Sequence, residues 1–361
     1  MDNEINNINT ADKPCVTLSQ IPAEKTLLTR VPEYTDCSIT DLYTRIKDAD
    51  TPMIFKGLCG HFPLVQAGLE SSQSAMDYLL KHDTGQPLTT YYLSPEQQGR
   101  VFYNEAVDGF NYQAGKLALS QILTRLQAES TQAEPASVYM GSTNIHQYFP
   151  SLFAENCLQL DQVNPMTNIW LGNQTRVAAH FDFPHNLACN MVGKRTFTLF
   201  PPDQIGNLYI GPMEFAPGGQ EISMVNFDKP DFERFPKFEQ ALAASFTAAL
   251  EPGDVLFIPS MWWHHVRGVE NFNVLITHWW RDTPGFLGRP NNALLQSMLS
   301  LRSLPKAQRQ AWKAMFEYYI FDHDDVDESH IPDSAKGMLT KPLDELNARK
   351  LRADLTNKLK R

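Results

Sequence analysis

Four residues invite chemistry: His180 and Asp182 in VAAHFDFPHN (177–186), and His264 and His265 in PGDVLFIPSMWWHHV (252–266). On an extended strand side chains alternate, so His180 and Asp182 share one face while Phe181 takes the other. An imidazole and a carboxylate side by side on an inward face either bond each other or hold something between them. Two histidines and one carboxylate on neighbouring strands make the facial set that binds non-haem Fe(II), leaving other positions open for a cosubstrate and O2. HxD alone is equally compatible with a plain His–Asp hydrogen bond, and HH alone says less. Together, at strand ends of one barrel, they favour a metal. Alternation puts His264 and His265 on opposite faces, so one of them is the ligand, and spacing leaves open which.

Arg195 sharpens the reading. In KRTFTLF (194–200), Arg195, Phe197 and Leu199 fall on one strand face. A guanidinium among apolar neighbours needs an anion. One solution is a structural Asp or escape to the strand end; the other is a bidentate clamp on a carboxylate-bearing cosubstrate. A metal set beside a buried cation suits 2-oxoglutarate, whose keto acid end chelates iron and whose far carboxylate needs a cationic partner. Trp262, Trp263, Trp279 and Trp280 crowd the second histidine segment. Some are core, and one or two are expected to wall a substrate cleft. Two motifs are discounted. FDHDDVDESH (321–330) lacks the glycine and final glutamate of a calcium loop and reads as a solvated acidic turn. The basic end with Lys350, Arg352, Lys358, Lys360 and Arg361 reads as the exposed face of a helix.

The elements that must position these groups are short strands with Pro/Gly turns. SVYMGS (137–142), NIWLGN (168–173), VAAHFD (177–182), NLACNMVG (186–193) and RTFTLFPP (195–202) follow in close succession. EPGDVLFIPSMWWHHV (251–266) and NFNVLITHWW (271–280) complete the set after an insert. With no alternating helices, this pattern predicts a β-sandwich or barrel. Upstream, MIFKGL (53–58) predicts a strand, and 74–82 and 115–129 predict helices. Downstream, Pro305 and Pro342 open two helices with apolar faces, which must bury against the barrel or a second copy of the chain.

Bulk properties exclude some partners. The 361 residues carry a net charge of −10, which disfavours nucleic-acid binding by bulk electrostatics. Five cysteines (Cys15, Cys37, Cys59, Cys157, Cys189) form no CxxC pair and read as reduced thiols of a cytoplasmic protein. The polar N-terminus has no signal-peptide pattern, and no apolar run is long enough to span a membrane.

The segments HFD (180–182) with Asn186, GKRTFTLFPP (193–202), VNFDKPDFERFPKF (225–238) and PGDVLFIPSMWWHHV (252–266) together resemble the cupin-like JmjC oxygenases, in particular the asparaginyl hydroxylase that inhibits hypoxia-inducible factor. The resemblance runs from about Tyr139 to Trp280. It implies a mainly β fold, a double-stranded β-helix (jelly-roll, cupin) core with helical additions, using Fe(II), 2-oxoglutarate and O2. It carries the ligand roles to His180, Asp182 and His264, the distal-carboxylate role to Arg195, cosubstrate contacts to Tyr139 and Asn186, and an aromatic substrate-lining role to Trp279. Thr277 stands where relatives often place Asn, leaving only a hydroxyl for the cosubstrate. The expected domains are a flexible tail at 1–25, an α/β elaboration at 26–130, the catalytic β-helix at 131–285 and a helical region at 286–361 that mediates a homodimer. The expected activity is hydroxylation of a C–H bond on a protein or peptide side chain. An RNA base or a small metabolite is the alternative substrate, and a non-catalytic metal-binding scaffold the alternative class.

Overall fold

The structure, a computed structural model, describes residues 28–160 and 162–360; the expected tail at 1–25, Cys15 and Arg361 lie outside them. Fifteen strands are present among the described residues. In chain order they are β1 (Thr29–Arg30), β2 (Glu33–Tyr34), β3 (Met53–Phe55), β4 (Leu88–Leu93), β5 (Arg100–Val101), β6 (Gln113–Leu117), β7 (Ser137–Asn144) and β8 (Met166–Gly172). They continue with β9 (Arg176–Phe181), β10 (His185–Val192), β11 (Arg195–Phe200), β12 (Phe246–Leu250), β13 (Val255–Ile258), β14 (Trp263–Gly268) and β15 (Asn273–Trp280).

These strands form two mixed sheets, β1-β12-β11-β14-β9-β5 and β2-β3-β13-β10-β15-β8-β7-β4-β6. From β8 to β11, and again from β12 to β15, the chain steps from one sheet to the other at each strand. That alternation is the double-stranded β-helix, and it closes two sheets around a shared interior. The inner core between them is Ala188, Phe197, Leu199, Leu256, Ile258, Val266 and Leu275.

Strand alternation then dictates the outer faces. On β10, Leu187, Cys189 and Met191 point away from the interior and pack under helices at Pro63–Glu70, Ser72–Lys81, Leu119–Glu129 and Pro150–Asn156. The Leu119–Glu129 helix buries Leu119, Ile122, Leu123 and Leu126, one face at helical spacing. The segment after β11 covers the outer face of the smaller sheet with Leu208, Val225, Phe227 and Phe238. Asp228, within VNFDKPDFERFPKF, accepts from Arg176 at 2.8 Å and Arg267 at 3.4 Å. The unusual string is thus a pinned cover.

Two sequence expectations shift. The 115–129 helix begins at Leu119; residues 113–117 are instead edge strand β6, paired with β4. Gly115 is a poor helix former, and the free edge of β4 supplies a ladder. The 251–266 segment is not one strand but two, β13 and β14, in different sheets. Pro259 cannot donate to a ladder, and Met261 adopts a left-handed φ of 69°, so the chain crosses between sheets there.

Residues 281–361 form a second compact unit of helices, beginning directly after Trp280. Its helices include Pro290–Leu301, Lys306–Phe316 and Glu345–Leu359, and Leu299, Trp312, Phe321 and Leu359 are exposed. The acidic stretch at 321–330 holds one short helical turn, His323–Asp325, and Asp324 is 85% exposed. No helix among the described residues is long and apolar enough to cross a membrane.

Candidate metal and cosubstrate site

The turn that splits β13 from β14 also positions the site. Met261 donates its N–H to the Asp182 carbonyl at 2.9 Å, and Ser260 Oγ donates to the Phe183 carbonyl at 2.6 Å. These bonds tie the approach to His264 to the segment that follows β9. β9 and β14 pair antiparallel, with Phe181 opposite Trp263 and His180 opposite His264. The two imidazoles therefore meet, with ring centroids 4.3 Å apart. One ligand atom from each of His180, Asp182 and His264 lies within 4.8 Å of the others.

The donor set fits a divalent metal. Each ring turns Nδ1 to a backbone carbonyl, His180 to Ala178 at 2.9 Å and His264 to Trp262 at 3.0 Å. That bond fixes the tautomer and leaves Nε2 as the lone-pair donor. His264 Nε2 stands 3.7 Å from Asp182 Oδ2, beyond hydrogen-bond distance and within reach of a shared ion. Burial, reinforced by His180, pushes the His264 pKa down to about 3, so the ring is neutral as a ligand must be. Burial raises the Asp182 carboxyl, opposed by His180 and by a hydrogen bond from Asn186. A buried carboxylate beside the neutral His264 ring is a charge that a cation would stabilise.

His265 lies elsewhere. A β-bulge between His264 and Val266 accompanies a ring stacked on Phe227 at 4.8 Å, in the cover and not in the interior. Trp262, Trp263 and Trp280 are likewise packing residues, in three separate apolar clusters.

The triad opens into a cavity of about 320 Å³. Arg195, Tyr139, Asn186, Thr277 and Trp279 all line it. Arg195 is buried, and among the described residues no carboxylate pairs with it; its one hydrogen bond is from Nε to Asn190 Oδ1 at 3.4 Å. Desolvation lowers its pKa only to about 10, leaving a charged guanidinium without a counter-ion, the second condition a dicarboxylate cosubstrate requires. Asn186 Oδ1 and the Trp279 indole N–H are buried without a hydrogen-bond partner. Because Asp182 only accepts, Asn186 must offer it the amide N–H, which leaves Oδ1 for another donor. Thr277 Oγ1 accepts from Trp170 Nε1 at 2.9 Å and keeps its own proton to donate.

Sequence reasoning missed Tyr91 and Trp170, which also line the cavity. Trp170 was legible as a residue of NIWLGN on the strand next to the site. Tyr91 was not, because β4 carries no motif and joins the wall only by pairing with β7.

Comparison with known proteins places this geometry. Residues 40–286 match the model of the cupin-like domain family. The HSPB1-associated protein 1 homolog of Danio rerio is 29% identical over 163 residues, 44% of this chain and 36% of that protein. Lysine-specific demethylase JMJ31 of Arabidopsis thaliana is 32% identical over 116 residues, 32% of this chain and 21% of that protein. The tRNA wybutosine-synthesizing protein 5 of Mus musculus is 30% identical over 138 residues, 38% of this chain and 36% of that protein. The matched stretches thus span little more than a third of those relatives at most. The family match takes in every strand from β3 to β15 and all the site residues described above, and the chain belongs to the cupin-like domain family, in its JmjC-type form.

Proposed function

We propose that this protein is an Fe(II)- and 2-oxoglutarate-dependent dioxygenase that hydroxylates a C–H bond on a protein or peptide side chain. The observation that carries the reading is the pairing, in one cavity, of a convergent His180–Asp182–His264 donor set with a buried Arg195 guanidinium that has no acidic partner. Membership of a family typified by such oxygenases supports the same class.

In this reading His180, Asp182 and His264 hold the iron and Arg195 holds the far carboxylate of 2-oxoglutarate. Bound iron supplies the redox chemistry by which O2 oxidises 2-oxoglutarate to succinate and CO2, one oxygen atom going to succinate and the other to the substrate. The chain's own work is to bind, orient and exclude water. Carbonyl bonds to both Nδ1 atoms hold the imidazoles in place, Asn186 orients Asp182, and the Thr277 hydroxyl and Tyr139 phenol face the cosubstrate. Burial raises the Tyr139 phenol well above its ordinary range, so it stays a neutral donor. Trp170 and Trp279 keep water from the reacting centre.

A protein substrate is favoured over RNA by the net charge of −10, although relatives carry names pointing to either class. We also propose a homodimer through the helical unit, whose exposed Leu299, Trp312, Phe321 and Leu359 are a poor surface for an isolated chain. Turnover tests the activity: 2-oxoglutarate-dependent O2 uptake with succinate release, absent in Asp182→Ala, is the expected result. No succinate from the iron-loaded protein, with any candidate peptide, would contradict it.

A further inference from the structure

The inward residues of β10 and β15 set three levels along the cavity. Asn186 stands opposite Trp279, Ala188 opposite Thr277, and Asn190 opposite Leu275. The first is the level of the metal set, since Asn186 bonds Asp182. The third is the level of the guanidinium, since Asn190 Oδ1 accepts from Arg195 Nε. Thr277 is the middle level, about 7 Å along the strand from each of the others. On the oxygenase reading, on which this inference rests, 2-oxoglutarate bridges the metal and Arg195 and must pass Thr277.

What the Thr277 hydroxyl can offer is decided on the next strand. Trp170 on β8 stands opposite Leu275, so it is diagonal to Thr277 on the same face, within reach of a long side chain. Its Nε1–H meets Thr277 Oγ1 at 2.9 Å. An indole nitrogen only donates, so Thr277 must accept. A hydroxyl carries a single proton, and among the described residues no group accepts it from Thr277. Both residues line the cavity. Tyr139 and Trp279 pack against the indole at 6.5 and 5.9 Å between centroids, which holds the ring in this pose.

We propose that Trp170 is a positioning residue for the cosubstrate: its indole N–H occupies the Thr277 oxygen and leaves the hydroxyl proton aimed at a carboxylate oxygen of 2-oxoglutarate. An unassisted hydroxyl could turn either its proton or a lone pair to the cavity, and a lone pair would repel an anion. With its polarity preset, Thr277 has no rotor to order when the anion arrives, and the bond it makes to a charged acceptor is a strong one.

A double-mutant cycle read in binding, without turnover, tests this. The Co(II)-loaded full chain is titrated calorimetrically with 2-oxoglutarate under nitrogen. Trp170→Phe keeps a ring in the wall and removes the N–H; it should weaken 2-oxoglutarate by about three- to tenfold, and Thr277→Val by about tenfold or more. In the Thr277→Val background Trp170→Phe should cost less than about twofold more, because no hydroxyl is left to aim. Thr277→Ser should keep both the native affinity and its sensitivity to Trp170→Phe. An equal loss from Trp170→Phe in the two backgrounds would make Trp170 a wall and nothing more, and would overturn the proposal, as would no loss in either. If Trp170→Phe folds poorly, the 1H–15N spectrum of the Zn(II)-loaded chain carries the test. Thr277→Val should shift upfield one indole N–H signal that Thr277→Ser leaves in place, and 2-oxoglutarate should move that signal downfield in the native chain as the hydroxyl is polarised. A signal unmoved by either overturns the proposal. Failure of the oxygenase reading would be distinct and would remove both: a native chain that binds neither Co(II) nor 2-oxoglutarate.

Discussion

His180 and His264 face each other directly across the β9–β14 pair, their ring centroids 4.3 Å apart. Each Nδ1 is held by the carbonyl of the residue two positions earlier in the chain. The two ligands are thus oriented by backbone, and only Asp182 depends on a side-chain partner, Asn186.

Asp182→Ala should therefore abolish metal binding, by at least about a hundredfold in affinity, with little loss of fold. Burial disfavours the charged carboxylate, so removing it relieves a desolvation cost that offsets the lost hydrogen bond from Asn186. Calorimetric titration with Co(II) or Mn(II), alongside a thermal melt, checks both halves. Metal binding as tight as in the native chain would refute the triad.

His265→Ala should bind metal nearly normally. Its ring stacks on Phe227 in the cover, so the expected loss is about 1 kcal/mol of stability. Complete loss of metal affinity would mean that the wrong histidine had been assigned.

Much of the site was legible in the residues because strand alternation acts locally. HFD puts His180 and Asp182 on one face, and RTFTL puts Arg195 beside Phe197, with no knowledge of the rest of the chain. Alternation alone could not choose between His264 and His265, since that depends on which face of β14 looks inward. The choice is made by pairing with β9 and by the crossover at Pro259 to Trp262. A β-sandwich or barrel was legible from the close succession of strands, and its double-stranded β-helix form only from the family resemblance. β4, β6 and β12 were not: they are held by neighbours distant in sequence, and QAGKL at 113–117 is almost wholly exposed, without the apolar alternation that marks a strand.

The cysteines give an independent check on the packing. Cys59, Cys157 and Cys189 are buried and Cys37 is partly exposed. Burial raises the Cys157 and Cys189 thiols above their ordinary range, so neither forms thiolate near pH 8. Of these four, Cys37 alone should react with an aromatic disulfide reagent in the folded chain, the other three reacting once it unfolds. Peptide mapping of the labelled residues reads the result.

The helical unit yields an association test. If its exposed apolar residues pair two chains, Leu299→Glu with Trp312→Glu should shift the sedimenting species from dimer to monomer and leave metal affinity unchanged. A native chain that sediments as a monomer at micromolar concentration would rule out the dimer.

The most direct test of the account is an anaerobic calorimetric titration, first with Fe(II) and then with 2-oxoglutarate, of the native chain and of Arg195→Ala. The native chain should bind one Fe(II), and then 2-oxoglutarate only once the metal is in place. Arg195→Ala should keep the Fe(II) and lose about 30-fold or more in 2-oxoglutarate affinity, the cost of leaving a carboxylate without its buried partner. Equal 2-oxoglutarate affinity in the two proteins, or no Fe(II) uptake by the native chain, would contradict it.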